Sequence, residues 1–286
     1  MLIIIIITVI MITFTMITFR LELKSGSINN FGTHDDAIKS IVHNEPTGLL
    51  FTGSWDRTVG VWDERSAPNV SRPITSLPVP DKVYSMDICD ERNLLLVATA
   101  GRHIYLYDTR SLGQPLQKRE SSLKYQTRTV KFFGATSDEI GQQGGFICAS
   151  IEGRVAVDFI DPSPEVQQSR YAFKCHRQTQ SSSDQGNMEI VYPVNTVACY
   201  PQADKSVSFF TGGSDGIINS WDRLLRKRIR QFPKYQTGIS ALAIDSQGSF
   251  LAIASSYSFD EGEKDHPPES IFIRKLDDSD IKSKSK

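Results

Sequence analysis

Nothing in this chain marks a catalytic centre. Its five histidines, His34, His43, His103, His176 and His266, are scattered, with no H-x-x-x-H pair and no spacing that gathers metal ligands. No glycine-rich loop stands between a strand and a helix, where it would cradle a phosphate. The four cysteines, Cys89, Cys148, Cys175 and Cys199, form no C-x-x-C pair and lie in apolar runs. They read as small buried hydrophobes in a reducing compartment, not as a disulfide framework. Charge is balanced, 32 Lys and Arg against 33 Asp and Glu, so no net field draws the chain to nucleic acid or a membrane surface. Electrostatic recognition therefore has to come from local clusters. The expectation is no catalytic residue, no metal, no cofactor and no small-molecule substrate.

What is present is a repeat. In the stretch 32–63, GTHDDAIKSIVHNEPTGLLFTGSWDRTVGVWD, alternating strand Ala37–Val42 meets a turn at Asn44–Gly48. Strand Leu49–Gly53, a tight turn at Trp55–Arg57 and strand Thr58–Trp62 follow. β-Branched and aromatic residues fill the runs, while Gly, Ser and Asp punctuate them. The Gly-x-His start and Trp-Asp finish are the signature of a WD repeat, one blade of a β-propeller with a period of about 40–45 residues. His34, Asp56 and Trp62 are expected to form a structural hydrogen-bonded chain, with Thr52 or Ser54 supplying a hydroxyl, because buried imidazole and indole N–H groups must find partners.

Four further blades follow. Their strands are Val83–Cys89, Leu94–Ala100 and His103–Tyr107; then Thr127–Phe133, Gly145–Ser150, Val155–Phe159 and the outer strand Tyr171–Arg177. Next come Val194–Tyr200, Ser208–Ser214 and Ile217–Trp221, where Asp215 and Trp221 restore the six-residue Asp–Trp relation. The last are Ile239–Ile244, Phe250–Tyr257 and Ser270–Leu276. Ile17–Leu23 and the turn-rich KSGSINN read as the end of an earlier blade. The fold expected is all-β: a WD-repeat propeller of about five blades plus part of a sixth. The last blade has three strands, and its fourth would come from residues 1–16.

The first nineteen residues, MLIIIIITVIMITFTMITF, carry no charge and approach the roughly 20 apolar residues of a membrane span. They lack the basic start and cleavage site of a signal peptide. A membrane anchor, a misplaced translation start and an appended strand-rich stretch stay open, and a membrane is a partner only under the first. The expected organisation is an apolar leader over 1–19, the propeller over 20–276 and a polar, disordered tail over 277–286.

One positional coincidence suggests a site. Arg57, Arg102 and Arg154 each follow a turn residue, Asp56, Gly101 or Gly153, so three blades would show arginine on one rim, with Lys124 and Arg128 alongside. In the outer strand, Tyr171, Phe173 and Cys175 alternate with Ala172, Lys174 and His176, giving an apolar and a basic face. The run Arg223–Arg230, RLLRKRIR, reads as a charged edge strand that discourages unwanted pairing.

SSLKYQTR (121–128), SIEGRVAV (150–157), DPSPEV (161–166), YAFKCHR (171–177), YPVN (192–195), GGSDG (212–216) and IASSY (253–257) carry a family resemblance. Over about Gly32 to Leu276 the chain resembles the spindle-assembly checkpoint WD-repeat family named budding uninhibited by benzimidazole, member three. That resemblance implies a seven-bladed, non-enzymatic propeller of nucleus and kinetochore, with a cytoplasmic pool. It implies two partners: checkpoint kinases through their GLEBS motifs, and phosphorylated MELT repeats of the kinetochore scaffold. By motif, Arg128 with Lys124 and Tyr125 would meet GLEBS glutamates, and Arg154 and Lys174 would hold a phosphothreonine. The family's first blade and most of its second are absent from this sequence. A related nuclear-pore messenger-RNA export propeller shares SIEGRVA and FKCHR, and that branch is the rival reading, beside a non-functional fragment.

Overall fold

A computed structural model of the chain describes residues 17–22, 27–63, 65, 72–134, 144–182, 186–201 and 208–283, in two compact units, Met1–Arg119 and Glu120–Lys286. In the first unit, β1 (Ile17–Glu22) and β2 (Ser27–Thr33) form an antiparallel hairpin. A four-stranded sheet follows in the order β3 (Ile38–Asn44), β4 (Leu49–Ser54), β5 (Thr58–Asp63), β6 (Thr75–Pro78). A second sheet is β7 (Val83–Cys89), β8 (Leu94–Thr99), β9 (His103–Asp108), β10 (Gln117–Glu120). Residues 17–19, assigned to the leader from their apolarity, belong to β1 and pair with β2. Residues 1–16, and with them the anchor and fourth-strand readings, lie outside the described residues; no described helix is long and apolar enough to cross a membrane.

The second unit holds β11 (Thr127–Phe133), β12 (Gly145–Ser150), β13 (Arg154–Phe159) and β14 (Tyr171–Lys174), with helical turn α1 (Pro164–Gln167) between the last two. A separate hairpin, β15 (Arg177–Ser182) and β16 (Gly186–Val191), precedes the sheet β17 (Val194–Cys199), β18 (Ser208–Gly213), β19 (Ile218–Asp222), β20 (Lys227–Gln231). The last sheet has three strands, β21 (Ile239–Ile244), β22 (Phe250–Ser255) and β23 (Ser270–Lys275), and is followed by the turn α2 (Asp278–Ile281). Among the described residues this makes five meandering antiparallel sheets, the blades of an all-β WD-repeat propeller.

The second strand of most blades is buried on both faces, which is why LLLVAT, GFICAS and SFFTGG read as unbroken apolar or small-residue runs. Between β3–β6 and β7–β10 the core is Phe51, Val61, Val83, Met86, Leu95 and Tyr105. In the second unit Ile147, Val155, Val194 and Phe209 pack between two sheets, and Phe210, Ile218, Ile239 and Ile253 between the next two. Burial pushes the thiols of Cys89 and Cys148 up to about 11, which keeps them protonated and inert.

Each inner strand carries the same irregularity. Its second residue is skipped in the pairing with its neighbour: Lys39, Tyr84, Arg128, Asn195 and Ser240 in turn. Such a bulge leaves the residue outside the ladder and re-aims its side chain.

Over residues 277–283 the chain departs from the disordered tail expected. Asp277 caps α2 through a capping box. Asp280, fully buried, accepts from Arg230 at 2.7 Å and lies 3.6 Å from Arg274, while Ile281 joins the core. The composition is polar, but its carboxylate is matched by two arginines and its one isoleucine is buried, which pays the ordering entropy. The run RLLRKRIR also divides: Arg223 is buried under the Phe133 ring at 4.3 Å, and only Lys227–Gln231 form the outer strand β20.

Gly32 shows how tightly the WD signature is packed. A Cβ there would lie 2.3 Å from the Trp62 ring, so only glycine lets β2 pass the indole. Gly32→Ala is expected to destabilise the first unit by about 1–3 kcal/mol, the usual cost of overpacking. Gly113→Ala, where a Cβ meets nothing within 4 Å, serves as the neutral control in urea unfolding.

Candidate functional site

Two hydrogen-bonded chains tie blade turns to their sheets. In the first unit the Trp62 indole N–H donates to Thr52 Oγ1 at 2.7 Å, and the Thr52 hydroxyl lies 2.6 Å from His34 Nε2. His34 Nδ1 is 2.8 Å from Asp56 Oδ2, and Asp56 accepts from the Thr58 amide and hydroxyl. With the proton on Nδ1, every donor in this chain has an acceptor. Burial raises the Asp56 carboxyl, but hydrogen bonds from Thr58 and His34 outweigh it and hold the group below its ordinary range. Of the two hydroxyls considered, Thr52 is the link; Ser54 instead donates to the Asp36 carbonyl.

The second unit repeats the chain with His176, which sequence reasoning placed on an exposed basic face. His176 Nδ1 lies 2.9 Å from Asp215 Oδ1 and its Nε2 lies 2.8 Å from Thr211 Oγ1, which accepts from Trp221 Nε1 at 3.0 Å. The outer strand β14 ends at Lys174, and His176 turns inward with φ of 48°. Strand alternation therefore stops before Cys175 and His176, both of which are buried.

Arg128 is the bulged residue of β11. Its Nη2 donates to Asn195 Oδ1 at 3.2 Å, and Asn195 is the bulged residue of β17. Asn195 Nδ2 in turn donates to Ser214 Oγ and the Ile239 carbonyl, each at 3.0 Å. The amide is thereby fixed with its oxygen toward the guanidinium, so Arg128 is oriented before any ligand arrives. No described carboxylate pairs with Arg128. Lys124 and Tyr125 sit exposed on the loop leading into β11 and make no hydrogen bond with Arg128 among the described residues. Leu123, fully buried, and Ser122, bonded to Asp158 at 2.9 Å, anchor that loop.

Arg154 and Lys174 are direct cross-strand partners in the β13–β14 register. The expected arginine repetition is off by one residue. Arg57 and Arg102 occupy the left-handed turn position, φ 69° and 67°, that Gly153 occupies in the third blade; Arg154 is the first residue of the strand beyond it. Gly153 is required there, since φ is 60° and a Cβ would stand 2.7 Å from the Cys175 carbonyl oxygen.

Like charges directly opposite on a strand pair are destabilising, and two carboxylates relieve this one. Glu152 Oε2 lies 3.8 Å from Arg154 Nε, and Glu189 Oε2, from β16, lies 3.4 Å from Lys174 Nζ. The same Glu189 oxygen accepts from Arg177 Nη1 at 2.7 Å. Arg177 also donates to the carbonyls of Glu152, at 2.7 Å, and Gly153, at 3.5 Å, locking the turn that carries Arg154. Asn195, Arg177, Glu152 and Glu189 are the members of these clusters that sequence reasoning missed. Among the described residues, no three His, Cys, Asp or Glu side chains converge to hold a metal.

Meandering antiparallel sheets, two of them tied by a His–Asp–Thr–Trp chain, define the WD-repeat class of β-propeller. The WD domain, G-beta repeat, matches residues 25–63. The mitotic checkpoint protein BUB3.1 of Arabidopsis thaliana is 44% identical over 268 residues, 93% of this chain and 74% of the relative. The mitotic checkpoint protein bub3 of Dictyostelium discoideum is 42% identical over 88% of this chain and 71% of the relative. The mRNA export factor GLE2 of Chaetomium thermophilum is 33% identical over 85% of this chain and 62% of the relative. The chain belongs to the Bub3 family of mitotic checkpoint WD-repeat proteins.

Proposed function

We propose that this protein is a non-enzymatic adaptor of the spindle-assembly checkpoint with two peptide sites. Arg128, aided by Lys124 and Tyr125, receives glutamates of the GLEBS motifs of checkpoint kinases. Arg154 and Lys174 receive the phosphothreonine of MELT repeats in the kinetochore scaffold, which places the protein in the nucleus and at kinetochores in mitosis. The supporting observation is the register itself: two cations face each other across β13 and β14, placed to share one anion, and each already draws a carboxylate, Glu152 or Glu189. Arginine offers a directional fork and lysine a compact point charge, and a phosphoryl group brings roughly −1.5 to −2 charge for them to share.

Titration of a MELT-type peptide, with and without phosphate, tests this reading. Binding is expected to require the phosphate and to weaken with salt. Arg154→Ala and Lys174→Ala should each reduce it, and the double variant should lose less than the sum if both hold one phosphate. Equal binding of both peptide forms to the wild type would end the reading. Preference for RNA over the phosphopeptide would favour the export branch instead.

A further inference from the structure

Glu189 is an anion already seated on Lys174, one of the two cations assigned to the phosphate. Its Oε2 is shared unequally. Arg177 Nη1 holds it at 2.7 Å from a side chain only 14% exposed, itself pinned to two backbone carbonyls. Lys174 Nζ holds the same oxygen at 3.4 Å from a side chain 55% exposed. The first contact is short and fixed; the second is long and made by a flexible, solvated stem. If one contact is to yield, it is the lysine's, and Glu189 then keeps Arg177 as a partner. The Arg177 hydrogen bond also holds the Glu189 carboxyl below its ordinary range, so it stays ionised across neutral pH.

We propose that Glu189 is an internal competitor for the phosphopeptide: it occupies Lys174 in the free protein and is displaced when the phosphate arrives. This rests on the reading of Arg154 and Lys174 as the phosphothreonine site. An incoming phosphate exchanges one anion for another at Lys174, so only the surplus appears as affinity. An unphosphorylated peptide brings nothing to exchange and leaves Glu189 in place. The hairpin β15–β16 thus sets the affinity of a site built on other strands.

The test is a double-mutant cycle with Glu189→Gln and Lys174→Ala, titrating phosphorylated and unmodified MELT-type peptides. Glutamine keeps an oxygen for Arg177, so the hairpin retains its anchor, and an unchanged thermal midpoint checks this. Relieving an exposed ion pair should tighten the phosphopeptide about two- to fivefold. The unmodified peptide should not change, and the gain should shrink in the Lys174→Ala background. A loss of affinity in Glu189→Gln, or an undiminished gain without Lys174, overturns the inference and leaves the phosphate site standing. Failure of the wild type to distinguish the two peptides removes the site, and this inference with it.

Discussion

Arg128→Glu is expected to weaken a GLEBS peptide by about 2–5 kcal/mol, the range for losing a desolvated charge pair at an interface. The structure adds a reason for the upper part of that range. Asn195 presents its carbonyl oxygen at this spot, and its amide nitrogen is committed to Ser214 and the Ile239 carbonyl. A glutamate at 128 would meet that oxygen and the peptide's own carboxylates, and Asn195 could offer it a donor only by breaking two bonds to turn. Lys124→Ala and Tyr125→Ala should cost much less, since both side chains are exposed and make no hydrogen bond or ion pair among the described residues. Calorimetry with a synthetic GLEBS peptide reads all three. Unchanged affinity in Arg128→Glu would move the site elsewhere.

His176→Ala is expected to be the most destabilising single substitution among the residues named here, at about 3–5 kcal/mol. The His176 and Asp215 side chains are 0% and 2% exposed. Removing the imidazole strands a carboxylate that keeps only the Ile217 amide, and Thr211 loses a partner as well. Alanine must also adopt the left-handed backbone at 176. His34→Ala removes the equivalent group but should cost less, because Asp56 is more exposed and keeps the amides of Asp35 and Thr58 and the Thr58 hydroxyl. Trp221 reports the second unit and Trp55 and Trp62 the first, so denaturant unfolding followed by fluorescence in single-tryptophan backgrounds separates the two effects. A loss below about 1 kcal/mol for His176→Ala would mean that water replaces the imidazole.

Apolar patterning made most strands legible: Val83–Cys89, Thr127–Phe133, Gly145–Ser150 and Ile239–Ile244 coincide with β7, β11, β12 and β21. What escaped has little apolar signal. The hairpin 177–191 begins RQTQSSSDQGN, a polar run whose strands are held by pairing with each other. Its length sets His176 35 residues before Thr211, against 18 between His34 and Thr52, so the second chain's histidine went unread. The helical turn at Asp278–Ile281 escaped for another reason: its order depends on Arg230 and Arg274, which are distant in sequence. The candidate cations were readable as residue types by motif. Their orientation was not, because Asn195 and Glu189 reach them only through the fold, and Arg154 stood one place beyond the turn position assumed.

The recurrent bulge has a consequence for how such a scaffold changes over time. A residue outside the ladder is not chosen by the core, and the five residues found there, Lys39, Tyr84, Arg128, Asn195 and Ser240, share neither size nor charge. The fold thereby separates the inheritance of shape from the inheritance of partner. Lineages can rewrite such a side chain while the buried strands beside it stay under the same constraint. Divergence between a checkpoint branch and an export branch is then expected to concentrate at the bulged positions other than Asn195, whose amide is tied to Ser214 and the Ile239 carbonyl.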